Sequence, residues 1–96
     1  MATLRIDRFT VDPADTEQLL ARRNALVAAI RDAVPGLIEA RLVRLGDGHW
    51  IDMWRWDSAA SQQAAVAAAP TIPEAAAAFS LVGNHTSELA EVVDER

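Results

Sequence analysis

The sequence predicts a small α+β domain in which two β–α units contribute to one antiparallel sheet. Three observations support this prediction: strand-like and helix-like segments follow one another as β-α-β-β-α-β, a glycine-rich turn joins the two middle strands, and the predicted hairpin is apolar on both faces. A length of 96 residues suffices for a single domain over 1–96, and a hydrophobic content of 51% excludes a disordered chain.

The first unit is a strand followed by a long helix. Residues 3–11 are rich in Thr, Ile, Phe and Val, which favour an extended backbone. Asp12 and Pro13 are typical of a helix N-cap and first helical position, so a helix is predicted from there to about Val34, before Pro35. An apolar stripe on this helix is expected to face the core, and it comprises Leu19, Leu20, Leu26, Val27, Ile30, Ala33 and Val34.

The segments 37–45 and 49–56 are predicted to form a hairpin around Gly46-Asp47-Gly48, because a loop with glycine in a left-handed conformation suits that sequence. The predicted register pairs Leu45 with His49, Arg44 with Trp50, Leu42 with Asp52, Ala40 with Trp54, Glu39 with Arg55, and Ile38 with Trp56. It brings opposite charges together and stacks Arg44 near Trp50, which favours it over a register shifted by one residue.

The second unit is a helix pair and a last strand. The predicted elements are a helix from Asp57-Ser58 to about Ala69, a short helix from the capping-box pattern Thr71-Ile72-Pro73-Glu74 to Gly83, and a strand over 84–93. The resulting order is ferredoxin-like, βαββαβ, with an extra short helix before the last strand.

Both faces of the predicted sheet are apolar, although the helices cover only one. Val43, Ile51 and Met53 lie opposite the face that carries the three tryptophans. An apolar face without helices needs a second cover. We therefore expect a homodimer.

The composition excludes several kinds of chemistry. There is no Cys and no Lys, so thiolate nucleophiles, Cys-based metal sites and Schiff-base catalysis are excluded. Only two histidines are present and no nucleotide-binding loop is found, so neither a metal site nor another bound cofactor is expected. A net charge of −5 disfavours nucleic acid and anionic membranes as partners. The first residues lack a signal-peptide pattern, so a cytoplasmic location is expected.

The hairpin, the segment Met53-Trp54-Arg55-Trp56-Asp57-Ser58 and the alanine-rich helix ending near Pro70 together resemble the antibiotic biosynthesis monooxygenase family of dimeric α/β barrels. The order of elements over the whole chain also matches. The resemblance implies sheets that pack face to face across a dimer, and a cofactor-independent oxygenase acting on polycyclic aromatic phenols. It also admits haem-degrading relatives and members without established activity. Many members carry a His on the helix after the Trp, where this chain has Ala65.

Trp54, Trp56 and Asp52 are candidate site residues on the helix side of the sheet. Indole rings favour stacking with a flat aromatic substrate, so Trp54 and Trp56 are candidate substrate-binding residues. Asp52 is a candidate catalytic base for a phenol. The alternatives are core packing for the tryptophans and, for Asp52, an ion pair with Arg44 or Arg5 or contact with solvent.

Asn84 and His85 open the last predicted strand. Asn84 is a candidate for substrate binding and His85 for catalysis, while a turn-forming Asn and a surface His are the alternatives. The leading function, which the resemblance implies, is a small cofactor-independent monooxygenase acting on a flat aromatic or quinone-forming small molecule. The alternatives are a module of the same fold that binds a hydrophobic ligand or only assembles, and a haem protein with His49 or His85 as ligand.

Overall fold

The computed structural model describes all 96 residues and consists of one four-stranded antiparallel sheet with three helices. The strands are ordered β2-β3-β1-β4 across the sheet. The elements are β1 (Thr3–Thr10), α1 (Thr16–Ala33), β2 (Leu37–Gly46), β3 (His49–Trp56), α2 (Ala59–Ala68), α3 (Pro73–Phe79) and β4 (Gly83–Glu91), with 3₁₀ turns at Pro13–Asp15 and Ala69–Thr71. The predicted ferredoxin-like α+β fold is confirmed.

The start of the first helix is as predicted, but its buried face is narrower. The Asp12 carboxylate accepts a hydrogen bond from the Ala14 amide at 3.0 Å, and a 3₁₀ turn leads into α1. Leu19 and Ile30 are buried, whereas Leu20 is 43% exposed. The prediction that Leu20 and Ala33 belong to the core stripe is wrong, because both are exposed, whereas Leu26 and Val27 are partly buried against the core.

The middle of the hairpin has the predicted register, and its two ends do not. Ala40 faces Trp54, Leu42 faces Asp52, Arg44 faces Trp50 and Glu39 faces Arg55. The Arg44 guanidinium carbon lies 5.1 Å from the Trp50 ring centroid, and Arg55 Nη2 lies 3.7 Å from Glu39 Oε2. At the ends, His49 faces Gly46 rather than Leu45, and Trp56 faces Leu37 rather than Ile38. Irregularities place an extra residue on β2 at both points, which leaves Ile38 45% exposed.

The second unit differs from prediction in its boundaries. Ser58 caps α2 as expected, accepting from the Ser61 amide at 3.1 Å. The capping box is wrong: Thr71 Oγ1 donates to the Ala68 carbonyl at 2.7 Å, and Ile72 occupies the N-cap of α3. Gly83 begins β4 instead of ending a helix, and β4 ends at Glu91, before the predicted residue 93.

The buried core lies between the sheet and the helices and has two parts. One cluster is Ile30, Val34, Trp54, Trp56, Ala65 and Ile72, and the other is Phe9, Val11, Leu19 and Trp50. Between them a row of facing residues crosses all four strands, in the order Leu42, Asp52, Asp7 and Ser87. Two carboxylates therefore lie in the middle of the helix-covered face, which positions the site described below.

The opposite face of the sheet has no helix over it. Ile6 and Met53 are partners across β1 and β3 on this face, and both are only partly buried. Ion pairs surround this apolar centre: Arg8 with Glu88, Arg41 with Glu39, and Arg55 with Glu95. No helix combines the length and the hydropathy needed to cross a bilayer.

Candidate functional site

A cavity of about 190 Å³ lies between the sheet and all three helices, and most of the residues that line it are hydrophobic. Trp54 and Trp56 form part of its wall. Their rings are stacked, with centroids 6.4 Å apart and planes inclined by 25°. Because both rings lie at the end of β3 that is followed by α2, they give one end of the cavity a flat aromatic surface.

Asp52 lines the cavity in a two-point ion pair with Arg23 of α1. Arg23 Nε lies 3.0 Å from Asp52 Oδ2, and Arg23 Nη2 lies 2.9 Å from Oδ1. The side chains are only 13% and 11% exposed. An arginine does hold Asp52, but neither proposed partner was correct: Arg44 packs on Trp50, and Arg5 pairs with Asp7.

His85 takes part in a second charged group. Its Nε2 lies 2.7 Å from Asp7 Oδ1, and Arg5 Nε lies 3.0 Å from Asp7 Oδ2. Because a carboxylate only accepts hydrogen bonds, Nε2 carries the hydrogen in this contact. Nδ1 of neutral His85 is then left with a free lone pair. The Phe79 ring lies 5.4 Å away between centroids and packs beside the imidazole.

The two carboxylates face each other across neighbouring strands, since Asp7 is the cross-strand partner of Asp52. Like charges in such positions repel. Arg5 and Arg23 each neutralise one of them. The polar wall of the cavity therefore carries balanced charge and presents a histidine that is oriented by a carboxylate.

Of the residues singled out from the sequence, four lie together at this cavity: Asp52, Trp54, Trp56 and His85. Asn84 does not line it. With a φ of 51°, Asn84 directs its amide to Thr10 Oγ1 at 3.0 Å, which places it in the exposed start of β4. His49 is exposed beside the hairpin turn. No cluster of three or more His, Asp and Glu side chains is present that could hold a metal ion.

The sequence analysis missed four polar residues of the cavity wall, namely Arg5, Asp7, Arg23 and Gln62. Arg23 falls on the line from Leu19 to Ile30 along α1, so helical spacing was a usable signal. Gln62 precedes the buried Ala65 by three residues and shares its helix face. No signal of this kind identified Arg5 and Asp7. They alternate with Leu4 and Ile6, a pattern typical of a strand with one solvent-exposed face, so the sequence indicated that the charged residues face away from the core.

Ala65 forms part of the cavity wall and presents only a methyl group to the cavity. This is the position at which the resemblance implies a histidine in many relatives. The histidine that does line the cavity is His85, which lies on β4.

A family model described as antibiotic biosynthesis monooxygenase matches residues 4–80. Among solved structures, the chain is similar to SnoaB, a cofactor-independent oxygenase from Streptomyces nogalater, with 24% identity, a TM-score of 0.74, and coverage of 98% of this chain and 95% of that one. It is similar to Rv0793 from Mycobacterium tuberculosis, with 21% identity, a TM-score of 0.69, and coverage of 99% and 98%. A NIPSNAP family protein from Agrobacterium tumefaciens is 12% identical, with a TM-score of 0.72 and coverage of 97% and 87%. No curated protein matches the chain.

Proposed function

Because this chain belongs to the antibiotic biosynthesis monooxygenase family, we propose that it is a cofactor-independent monooxygenase acting on a flat, polycyclic phenol. The observation that carries this proposal is the cavity in which two stacked tryptophans lie on the same wall as the His85–Asp7 pair. The similarity to a cofactor-independent oxygenase gives the proposal additional support.

The cavity suits an aromatic ligand. Apolar walls favour burial of a hydrocarbon framework, and the stacked indoles of Trp54 and Trp56 favour planar rings. A volume of about 190 Å³ limits the enclosed part of the ligand to a few fused rings. A small polycycle is therefore the proposed substrate class.

His85 is the proposed catalytic base. Its free Nδ1 would accept the phenolic proton, and Asp7, bound at Nε2, would stabilise the resulting imidazolium. Asp52 was the other candidate, but both of its oxygens already accept hydrogen bonds from Arg23. We assign Asp52 the role of holding Arg23 in the cavity wall, where the guanidinium stabilises a phenolate.

The proposed reaction needs only the substrate and O₂. A phenolate is electron-rich enough to transfer an electron to O₂, and recombination of the two radicals forms a carbon–oxygen bond. When a ring CH₂ becomes a ring carbonyl in this way, one oxygen atom stays on carbon and the other leaves as water. The substrate supplies all four electrons that reduce O₂.

Oxygen uptake with anthrone, the keto tautomer of the phenol 9-anthrol, tests the proposal, because loss of a proton from either tautomer gives the same phenolate. Wild-type protein should consume one O₂ per anthraquinone formed, and His85→Ala should lower kcat by about 10²-fold or more, the usual contribution of a general base. His49→Ala is the matched control, because His49 is exposed at the hairpin. Equal rates in both variants would exclude His85 as the base.

A second candidate function is a module that binds a hydrophobic ligand without turnover. It is favoured by Ala65, which stands in the cavity wall where many relatives carry a histidine on this helix. Binding of anthrone without oxygen uptake would support that alternative. A Soret band that appears on titration with haem and is lost in His85→Ala would support the haem-binding alternative.

A further inference from the structure

Gln62 is a buried amide without a hydrogen-bonding partner in the chain. It lies on α2, is 3% exposed and lines the cavity. The side-chain hydrogen bonds around α2 join Ser58 to Ser61, Ser61 to Asp57 and Thr71 to the Ala68 carbonyl, and none reaches Gln62. A buried amide is normally satisfied, because leaving its donors and acceptor unpaired is costly.

The amide atoms of Gln62 open into the cavity. The one side-chain polar atom that is both completely enclosed and unbonded is Nε1 of Trp56. The unbonded oxygen and nitrogen of Gln62 therefore keep a small accessible surface. Since Gln62 is almost fully buried and lines the cavity, that surface faces the cavity.

This amide and the His85–Asp7 pair lie at different ends of the cavity. Gln62 is in the helix that follows β3, close in sequence to Trp56 at the end of that strand. Asp7, which holds His85, faces Asp52, four residues before Trp56 on β3. Four residues of a strand span about 13 Å. A planar ligand that reaches from one end to the other therefore meets an amide at one end and an imidazole at the other.

We propose that Gln62 is a specificity-determining residue that hydrogen-bonds an oxygen substituent on the edge of the ligand that lies against α2, away from His85. The amide can donate to a carbonyl and accept from a hydroxyl. It thereby selects polycycles that carry an oxygen on this edge over the bare hydrocarbon, because a polar group buried in an apolar pocket discriminates against a ligand that leaves it unpaired. This inference deepens the proposed function, since it concerns the ligand of the same cavity.

The test uses binding of two tricyclic probes of nearly equal shape, 9-fluorenone and fluorene, which differ by a carbonyl oxygen and cannot undergo the phenol chemistry. Tryptophan fluorescence quenching gives Kd for each. Wild-type protein should bind fluorenone about 3- to 10-fold more tightly, the ratio expected of one net hydrogen bond. Gln62→Leu should bring the ratio close to one without weakening fluorene. The control Gln63→Leu, at the exposed neighbouring position, should keep the wild-type ratio.

The inference is overturned if Gln62→Leu keeps the preference for fluorenone, or if neither probe binds the wild-type protein. It is also overturned if Gln62→Leu melts several degrees below the wild-type protein, because the amide then supports the fold instead of the ligand. A preference that depends on Gln62, together with no oxygen uptake from anthrone, would support this inference and contradict the proposed function.

Discussion

At the scale of single residues, the pair of Asp52 and Arg23 shows how burial determines the role of a charged side chain. From the sequence, a carboxylate among indole rings suggested a catalytic base. In the fold, both carboxylate oxygens are bound to one guanidinium in surroundings that water scarcely reaches. Breaking such a pair leaves an uncompensated buried charge, which costs more than the pair contributes.

We expect Asp52→Asn to lower the free energy of unfolding by about 3 kcal/mol, because it leaves Arg23 buried without its counter-ion. The double variant Asp52→Leu with Arg23→Met should recover most of this loss, since it removes both charges. Urea unfolding of Asp52→Leu, of Arg23→Met and of the double variant measures the coupling. Arg96→Met is the control: Arg96 is 88% exposed in its pair with Asp94, so a change within about 0.5 kcal/mol is expected. A neutral Asp52→Asn would show that solvent reaches the pair.

At the scale of elements, the turn between β2 and β3 is the most constrained part of the hairpin. Gly48 has a φ of +79°, and a Cβ placed there would lie 2.5 Å from the Val11 carbonyl oxygen. The Val11 amide also donates to the Gly48 carbonyl at 2.8 Å. The turn is therefore packed against the end of β1 and does not project freely into solvent.

Gly48→Val should lower the free energy of unfolding by about 3 kcal/mol, because a β-branched residue is strained at positive φ and its Cβ would clash with the backbone. Gly46→Val is the matched control. Gly46 has a φ of +126°, but a Cβ there meets no atom within 4 Å, so only the backbone strain remains. Chemical denaturation of both variants gives the difference. Equal losses would show that the contact with Val11 does not constrain the turn.

The same hairpin shows how far the sequence determines structure. Its central register was predictable, because the glycine turn and the Glu39–Arg55 and Arg44–Trp50 pairs agree on one alignment. The extra residues of β2 near Ile38 and Leu45 were not, because irregularities of pairing depend on how the strand ends pack. The candidate site was likewise predictable only in part. The tryptophans that line the cavity could be assigned to the helix-covered face from strand alternation. Arg23 and Asp7 could not be assigned to the cavity wall, because they reach it only when distant segments of the chain meet.

At the scale of the whole molecule, the uncovered face of the sheet is the reason to predict a homodimer. Its apolar centre, with Ile6 and Met53, is surrounded by exposed ion pairs. A polar rim around an apolar centre is the usual arrangement of a protein interface.

Sedimentation should therefore show a dimer at micromolar concentration, burying about 1,200 Å² or more in total. Met53→Glu should dissociate it, because the interface would have to bury an unpaired charge. Leu20→Glu is the control, since Leu20 is partly exposed on α1 and away from this face. Circular dichroism establishes that each variant is folded. A wild-type monomer, or a folded dimeric Met53→Glu variant, would contradict the prediction.

The position of β4 at the edge of the sheet has a consequence for the dynamics of the site. Within one chain β4 pairs only with β1, and nearly all of its residues are exposed. Edge segments with few buried contacts open more readily than the core. When β4 separates locally from β1, Nε2 of His85 leaves Asp7 while both hydrophobic clusters remain packed. The core of the chain can thus stay packed while His85, the base in the proposed reaction, is separated from the carboxylate that orients it.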